Sequence, residues 1–301
     1  MSLTDPEITE PPSWFRANIA APCDSAFVDV LGAPVHYLRW GDRAKPGLIF
    51  VHGGAANAEW FRHIAPFFTD DFNVAALDMA GMGESGTHES YSPSVFAAGV
   101  LGVLEDAGMF AHPVPPIVVG HSMGGMVSSE VARRHGERLR GVVFCDVGRP
   151  RFDADRPRVS MPPTVKKYYP SREAALERYR LAPAQPCLNR YILDHLREVS
   201  VREDPQGWTF KFDVNVFSMD RMSPEVMERS YKGIPCATAF LFGARSHLVS
   251  AESIELLRLD TEGRAPMVVV PEANHHLFID QPLAFIAALR AVFAGWLVAR
   301  D

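Results

Sequence analysis

No stretch of this chain is apolar for long enough to span a bilayer, which takes about 20 consecutive apolar residues, so no membrane partner is expected. Lys/Arg-rich runs are also missing, and a formal charge of -6 offers little to a polyanion, so no nucleic-acid partner is expected. The first residues, MSLTDPEITEPPSWF, have neither a basic start nor an apolar stretch behind it, unlike a signal peptide, and a cytoplasmic protein is expected. Cysteine is scarce: Cys23, Cys145, Cys187 and Cys236 are scattered, without a CxxC pair, and read as reduced structural thiols. The 11 histidines contain no HExxH or similar ligand spacing, so neither a metal nor another cofactor is expected. Internal repeats and low-complexity segments are absent.

What is present suits an enzyme-sized globular chain. It has 301 residues, and 47% are hydrophobic, enough to bury a substantial core. Short apolar runs at 47–51, 73–77, 117–119, 141–145, 237–242 and 267–270 read as buried strands. Residues 26–30 and 35–40 alternate around Gly32 and read as a hairpin. Helical patterns at 91–107, 124–135, 251–257 and 282–298 separate most of these strands. This alternation implies an α/β fold with a mostly parallel eight-stranded sheet, opened by an antiparallel hairpin and flanked by helices.

Two segments stand outside that alternation. Residues 1–24 are proline-rich and expected to form an irregular N-terminal arm, with Trp14 and Phe15 docking on the core. Residues 149–235 read as an inserted, mainly helical lid (cap) with helices near 171–181 and 189–199, which leaves 25–148 and 236–301 as the core. Between 149 and 236 there are 16 Lys/Arg and 12 Asp/Glu, a net +4 in an otherwise acidic chain. A mixed-charge solvated surface accounts for this; a preference for anionic or polar substrates is the alternative.

The chemistry begins at Gly120-His121-Ser122-Met123-Gly124, a GxSxG sequence between an apolar strand and a helix. A serine on so tight a turn is forced into a strained backbone conformation that projects its hydroxyl clear of the sheet. The following helix turns its N-terminus towards a developing oxyanion. With these features the sequence resembles the α/β-hydrolase superfamily over roughly residues 25–300, which implies the α/β-hydrolase fold and a serine hydrolase with Ser122 as nucleophile.

The resemblance extends to further motifs. His52-Gly53-Gly54 ends the third strand; in the superfamily the residue after His-Gly donates a backbone N–H to the oxyanion, here Gly54, and Met123 supplies the second. His52 is expected to brace that loop, and Asp78 to hold a glycine-rich turn resembling DxxGxGxS. The stretch from Ala273 to Pro282 resembles the family's histidine loop, and counting back from Asp280 puts the base at His275. His276 is the alternative base or a residue lining the substrate pocket. The usual acid position, after the strand at 237–242, holds Ser246. Asp146, 24 residues after Ser122 and placed as in haloalkane dehalogenases and zearalenone-type lactonases, is the preferred acid. Glu252 or a dyad completed by Ser246 or water are the alternatives.

A serine at 122 argues against halide displacement and epoxide opening, which need a carboxylate nucleophile. An ester or lactone bond of a small to medium-sized substrate is therefore expected, as in a carboxylesterase or lactonase. A C–C bond hydrolase of the meta-cleavage type, a ligand-binding receptor with vestigial hydrolysis, a lyase and a perhydrolase remain as alternatives. The lid aromatics Tyr168, Tyr169, Tyr179, Tyr191, Trp208, Phe210 and Phe217 either shape an apolar pocket or pack the lid. Trp60 either touches substrate or belongs to the core. Homodimers occur in this superfamily, so a homodimer is also considered.

Overall fold

The computed structural model describes residues 7–149, 165–218 and 231–297. Its centre is an eight-stranded sheet. The strands are β1 (Asp24–Val30), β2 (Ala33–Trp40), β3 (Gly47–Val51), β4 (Asn73–Leu77), β5 (Ile117–His121), β6 (Gly141–Cys145), β9 (Ala237–Gly243) and β10 (Met267–Val270); β7 and β8 belong to the inserted segment. Their order is β1-β2-β4-β3-β5-β6-β9-β10. β1 and β2 form an antiparallel hairpin, β2 meets β4 antiparallel, and every later pairing is parallel. The hairpin turn places Leu31 and Gly32 both at positive φ, 55° and 81°, matching the twist of the strands it joins.

β3 shows why an uninterrupted apolar run was needed. Leu48 and Phe50 point into one core layer, Ile49 and Val51 into the other. The first layer packs against α1 (Ser13–Ile19) and the C-terminal helix α8 (Pro282–Leu297) through Phe15, Phe285, Leu289 and Phe293. The second packs against α2 (Pro93–Asp106), α3 (Met123–His135) and α6 (Ala251–Asp260) through Val100, Leu104, Val127, Val131 and Leu257. Ser92 caps α2 by accepting from the Val95 N–H, with Pro93 at the first helical position.

The chain runs from β3 outward to β4, then returns past β3 to β5. Adjacent parallel strands thus send their following loops in opposite directions, opening a crevice at their carboxyl ends. Val51 lies beside Gly120 in the register, so the loops carrying Gly53 and Ser122 start side by side.

One local expectation changes and another gains a detail. The N-terminal arm is not irregular throughout, because α1 forms within it. Pro12 sits at its N-cap, where a missing N–H costs nothing, so the prolines mark where the helix begins. Phe15 is buried and meets Tyr191 edge-on at 4.8 Å. The inserted segment is mainly helical among the described residues, but not helical throughout. Besides α4 (Arg172–Arg178) and α5 (Arg190–Val199) it carries an antiparallel hairpin, β7 (Val201–Asp204) and β8 (Gly207–Phe210). Its turn is Pro205-Gln206, with Gly207 at φ 124°, a sequence lacking the Asn-Gly or Asp-Gly signal. The parts of the lid at 150–164 and 219–230 lie outside the described residues.

Candidate active site

Ser122 stands between β5 and α3 with φ 53° and ψ -121°, a conformation a non-glycine residue adopts only when its surroundings impose it. Its N–H donates to the Cys145 carbonyl at 3.0 Å, and its own carbonyl accepts from the Gly125 N–H at 2.9 Å. The flanking glycines have a steric reason. A Cβ on Gly120 would lie 2.3 Å from Ser128 Oγ, and one on Gly124 would lie 2.3 Å from both the Val51 and His52 carbonyl oxygens. Larger residues at either position would push the turn off the sheet edge.

Gly54 and Met123 are brought together. A Cβ on Gly54 would sit 3.8 Å from Met123 Sδ, and one on Gly53 would sit 3.3 Å from Ser122 Cβ. Met123 opens α3, so its N–H is among those a helix leaves without an internal acceptor. His52 braces this loop: its Nδ1 bonds the Gly53 carbonyl at 2.6 Å and its Nε2 accepts from the Met79 N–H at 3.0 Å. Both bonds require the neutral ring, and burial lowers its pKa accordingly.

His275 lies between β10 and the short helix α7 (Leu277–Asp280). Its Nδ1 is 2.7 Å from Asp146 Oδ2, and both side chains are buried. Asp146 follows β6 with φ 50°. Its Oδ1 accepts from the Gly243 N–H at 3.0 Å, and its Oδ2 also accepts from Ser246 Oγ at 2.5 Å. Of the candidate acids, then, Asp146 meets His275. Ser246, in the usual acid position, donates to that same carboxylate. Glu252 is exposed in the first turn of α6. Gly243 lets the histidine loop come close, since a Cβ there would be 2.2 Å from the Asn274 carbonyl oxygen.

The histidine loop is tied down at both ends. Asp280 Oδ2 accepts from the Asn274 N–H at 2.7 Å and from Gln185 Nε2 at 2.9 Å, while Gln185 Oε1 accepts from the His276 N–H at 3.1 Å. One glutamine of the inserted segment therefore fastens both sides of the turn carrying His275. Burial pushes the Asp280 carboxyl up to about 6 against these bonds.

The two residues expected to contact substrate are both buried. Trp60 is 3% exposed in a 3₁₀ turn and meets His276 edge-on at 5.4 Å; His276 is 2% exposed. His276 also meets His275, their ring centroids 4.9 Å apart. Among the aromatics of the insertion, Phe210 meets Tyr169 and Tyr179, and Tyr191 meets Phe15. Phe217 packs on Phe212 and also approaches the Gly54 loop, its ring edge 3.1 Å from where a Gly54 Cβ would be. A cavity of about 760 Å³ lies at the opposite end of the sheet, among Arg140, Tyr231, Cys236, Asp260 and Trp296, remote from Ser122.

His121 was overlooked as a side chain. It occupies the variable position before Ser122, is 1% exposed, and its Nε2 lies 2.9 Å from the His275 carbonyl. It thereby links the serine turn to the histidine loop. An apolar strand ending in a histidine is the only sign of this in the sequence.

The family model described as Alpha/beta hydrolase family matches residues 48–289. Similarity extends to sn-1-specific diacylglycerol lipase ABHD11 of Mus musculus, 25% identical over 280 residues that cover 88% of this chain and 87% of the relative. Pimeloyl-(acyl-carrier protein) methyl ester esterase of Klebsiella pneumoniae (strain 342) is 25% identical over 258 residues, covering 81% and 92%. Among solved structures, the thioesterase domain from the curacin biosynthetic pathway superposes with a TM-score of 0.75 at 20% identity, covering 91% of this chain and 99% of that one. That likeness concerns the fold. No helix among the described residues is long and apolar enough to cross a membrane.

Proposed function

The chain belongs to the alpha/beta hydrolase family, and from that premise we propose that it hydrolyses an ester or lactone bond of a small to medium-sized substrate through an acyl-enzyme on Ser122. His275 Nε2 takes the Ser122 proton as Oγ attacks the carbonyl carbon. The N–H groups of Gly54 and Met123 hold the oxyanion, and His275 passes the proton to the departing alcohol oxygen. Water then attacks the acyl carbon by the same route, releasing the acid and restoring Ser122. Asp146 keeps the His275 proton on Nδ1 and stabilises the imidazolium formed during each transfer.

The observation that carries this reading is the state of His275. Its Nδ1 is held by Asp146, while its buried Nε2 has no hydrogen-bond partner. The acceptor nitrogen is thus oriented and unspent, in a residue whose carbonyl meets His121, the neighbour of a serine held in a strained turn. The names of the relatives, a diacylglycerol lipase and a methyl ester esterase, favour a carboxylic ester among the possible acyl bonds. Phe217, lying over the Gly54 loop, is proposed to contact the substrate in place of Trp60.

The test is turnover of p-nitrophenyl esters of graded acyl length by wild type and Ser122→Ala. The expected result is many turnovers per site, falling by about 10⁵- to 10⁶-fold in the variant. Release of a single equivalent, or wild-type rates no higher than those of Ser122→Ala, would overturn the reading and favour a ligand-trapping receptor.

A further inference from the structure

Three histidines crowd the proposed site, although one base suffices. One ring nitrogen from each of His121, His275 and His276 falls within 4.8 Å of the others. Ring centroids are 4.7 Å apart for His121–His275, 4.9 Å for His275–His276 and 5.3 Å for His121–His276. All three residues are buried. His121 Nδ1 and His275 Nε2 have no hydrogen-bond partner, and in His276 the Pro183 carbonyl can take one ring N–H, which leaves the lone pair of the other nitrogen unspent. Leaving so many buried polar atoms unmet is costly. A ligand that accepts several nitrogen lone pairs would relieve that cost.

From this juxtaposition we propose that His121, His275 and His276 form a binding site for a divalent transition-metal ion of the zinc type, and that its occupation shuts off hydrolysis. The inhibitory half rests on the hydrolase reading above; the binding half does not. Hydrogen bonds set where the lone pairs lie. Asp146 holds the proton of His275 on Nδ1, leaving Nε2 as the donor to a metal. The His275 carbonyl holds the proton of His121 on Nε2, leaving Nδ1. A carboxylate and a carbonyl behind the ligating imidazoles are the usual supports of a histidine metal site.

Three neutral imidazoles suit zinc and copper, and they suit magnesium and calcium poorly because those ions prefer oxygen. Zn–N bonds of about 2.0–2.1 Å put tetrahedral ligands roughly 3.4 Å apart, so the rings must close in by about 1.4 Å from their widest separation. The bound ion takes the His275 Nε2 lone pair that would otherwise accept the Ser122 proton. No covalent bond is broken, and a chelator reverses the effect.

The experiment is calorimetric titration of the full chain with Zn²⁺, with p-nitrophenyl ester turnover followed in parallel. The expected result is one ion bound, activity lost with the same midpoint and restored by chelator, and neither effect from Mg²⁺. His276→Phe should weaken Zn²⁺ binding by about 100-fold or more, and Asp146→Asn by about 10-fold. X-ray absorption of the zinc-loaded wild type, which needs no variant to fold, should show three imidazole ligands. An oxygen-dominated shell, or unchanged affinity in a folded His276→Phe protein, would overturn the site. Binding without any ester turnover would instead sink the hydrolase reading and leave the metal site standing. Full turnover at saturating Zn²⁺ would sink the inhibition.

Discussion

Among the described residues, two histidine–aspartate pairs are built almost alike. Asp78 follows β4; its Oδ1 accepts from the Ala58 N–H at 2.6 Å, and its Oδ2 from the Glu84 N–H at 2.8 Å and lies 2.7 Å from His36 Nδ1. Asp146 follows β6, with the Gly243 N–H on one oxygen and Ser246 and His275 on the other, the histidine again at 2.7 Å. Both carboxylates are 2% exposed. The pairs differ at the far nitrogen. His36 Nε2 is engaged by Ser25 Oγ at 2.9 Å, whereas His275 Nε2 has no partner. An oriented, buried His–Asp pair is therefore not enough for catalysis; an unspent nitrogen next to a nucleophile is needed as well. The first pair joins the β2 edge to the Asp78 turn, and the second is the one proposed to move a proton.

The sharpest test of this contrast is Asp146→Asn. Loss of the carboxylate should lower kcat/KM by about 10⁴-fold, because His275 loses its tautomer control and its countercharge. Asp78→Asn in the same ester assay should cost less than tenfold. Equal losses in two folded variants would erase the distinction.

Acid is expected to strain the His275 region next. His276 is pinned neutral, with a pKa lowered to about 3 against an ordinary 6.5. As pH falls below 6.5 the unfolded chain takes up a proton that the folded chain refuses, so stability declines on the way to pH 3. This one group contributes on the order of 4 kcal/mol to the decline. Urea denaturation between pH 7 and 4 should show the slope, and a folded His276→Phe protein should show a shallower one. An identical slope in both would place the effect elsewhere.

Asp78→Asn should reverse the balance between activity and stability seen at Asp146. It removes an acceptor from buried N–H groups and should cost about 2–4 kcal/mol in chemical denaturation. A change below 0.5 kcal/mol would mean that the Asp78 turn does not depend on its carboxylate.

The smallest effect expected is a rescue. Ser246 Oγ lies 2.5 Å from the Asp146 carboxylate oxygen that meets His275. Adding Ser246→Asp to Asp146→Asn should restore activity about 100-fold over the single variant, by supplying a carboxylate from the neighbouring strand end. No recovery in a folded double variant would show that only the β6 position can orient His275.

Reading the chain without its structure went furthest where local physics is strong. All eight core strands were visible because short apolar runs between turn residues have few other uses in a chain of this composition. The serine turn was visible because two glycines must flank it for steric reasons now evident at Gly120 and Gly124. Less could be read where tertiary context overrides local signals. The Pro205-Gln206 hairpin lacks a strong turn signal, and α1 hid behind the prolines at its start. The contacts of Trp60 with His276, and of the His275 and His276 rings with Ser122's neighbour His121, have no mark in the sequence.

The amino-acid order alone determined the layered α/β architecture, the place of Ser122 on a strand-to-helix turn, and a short set of residues able to serve it. Periodicity and glycine placement encode such features within a few residues of each other. Tertiary structure alone decided which carboxylate meets His275, since Asp146 and His275 are 129 positions apart and meet only because β6, β9 and β10 lie side by side. It also decided that His121, His275 and His276 share one buried space. Sequence spacing carries no record of distances closed across a sheet, and there the parallel register sets them.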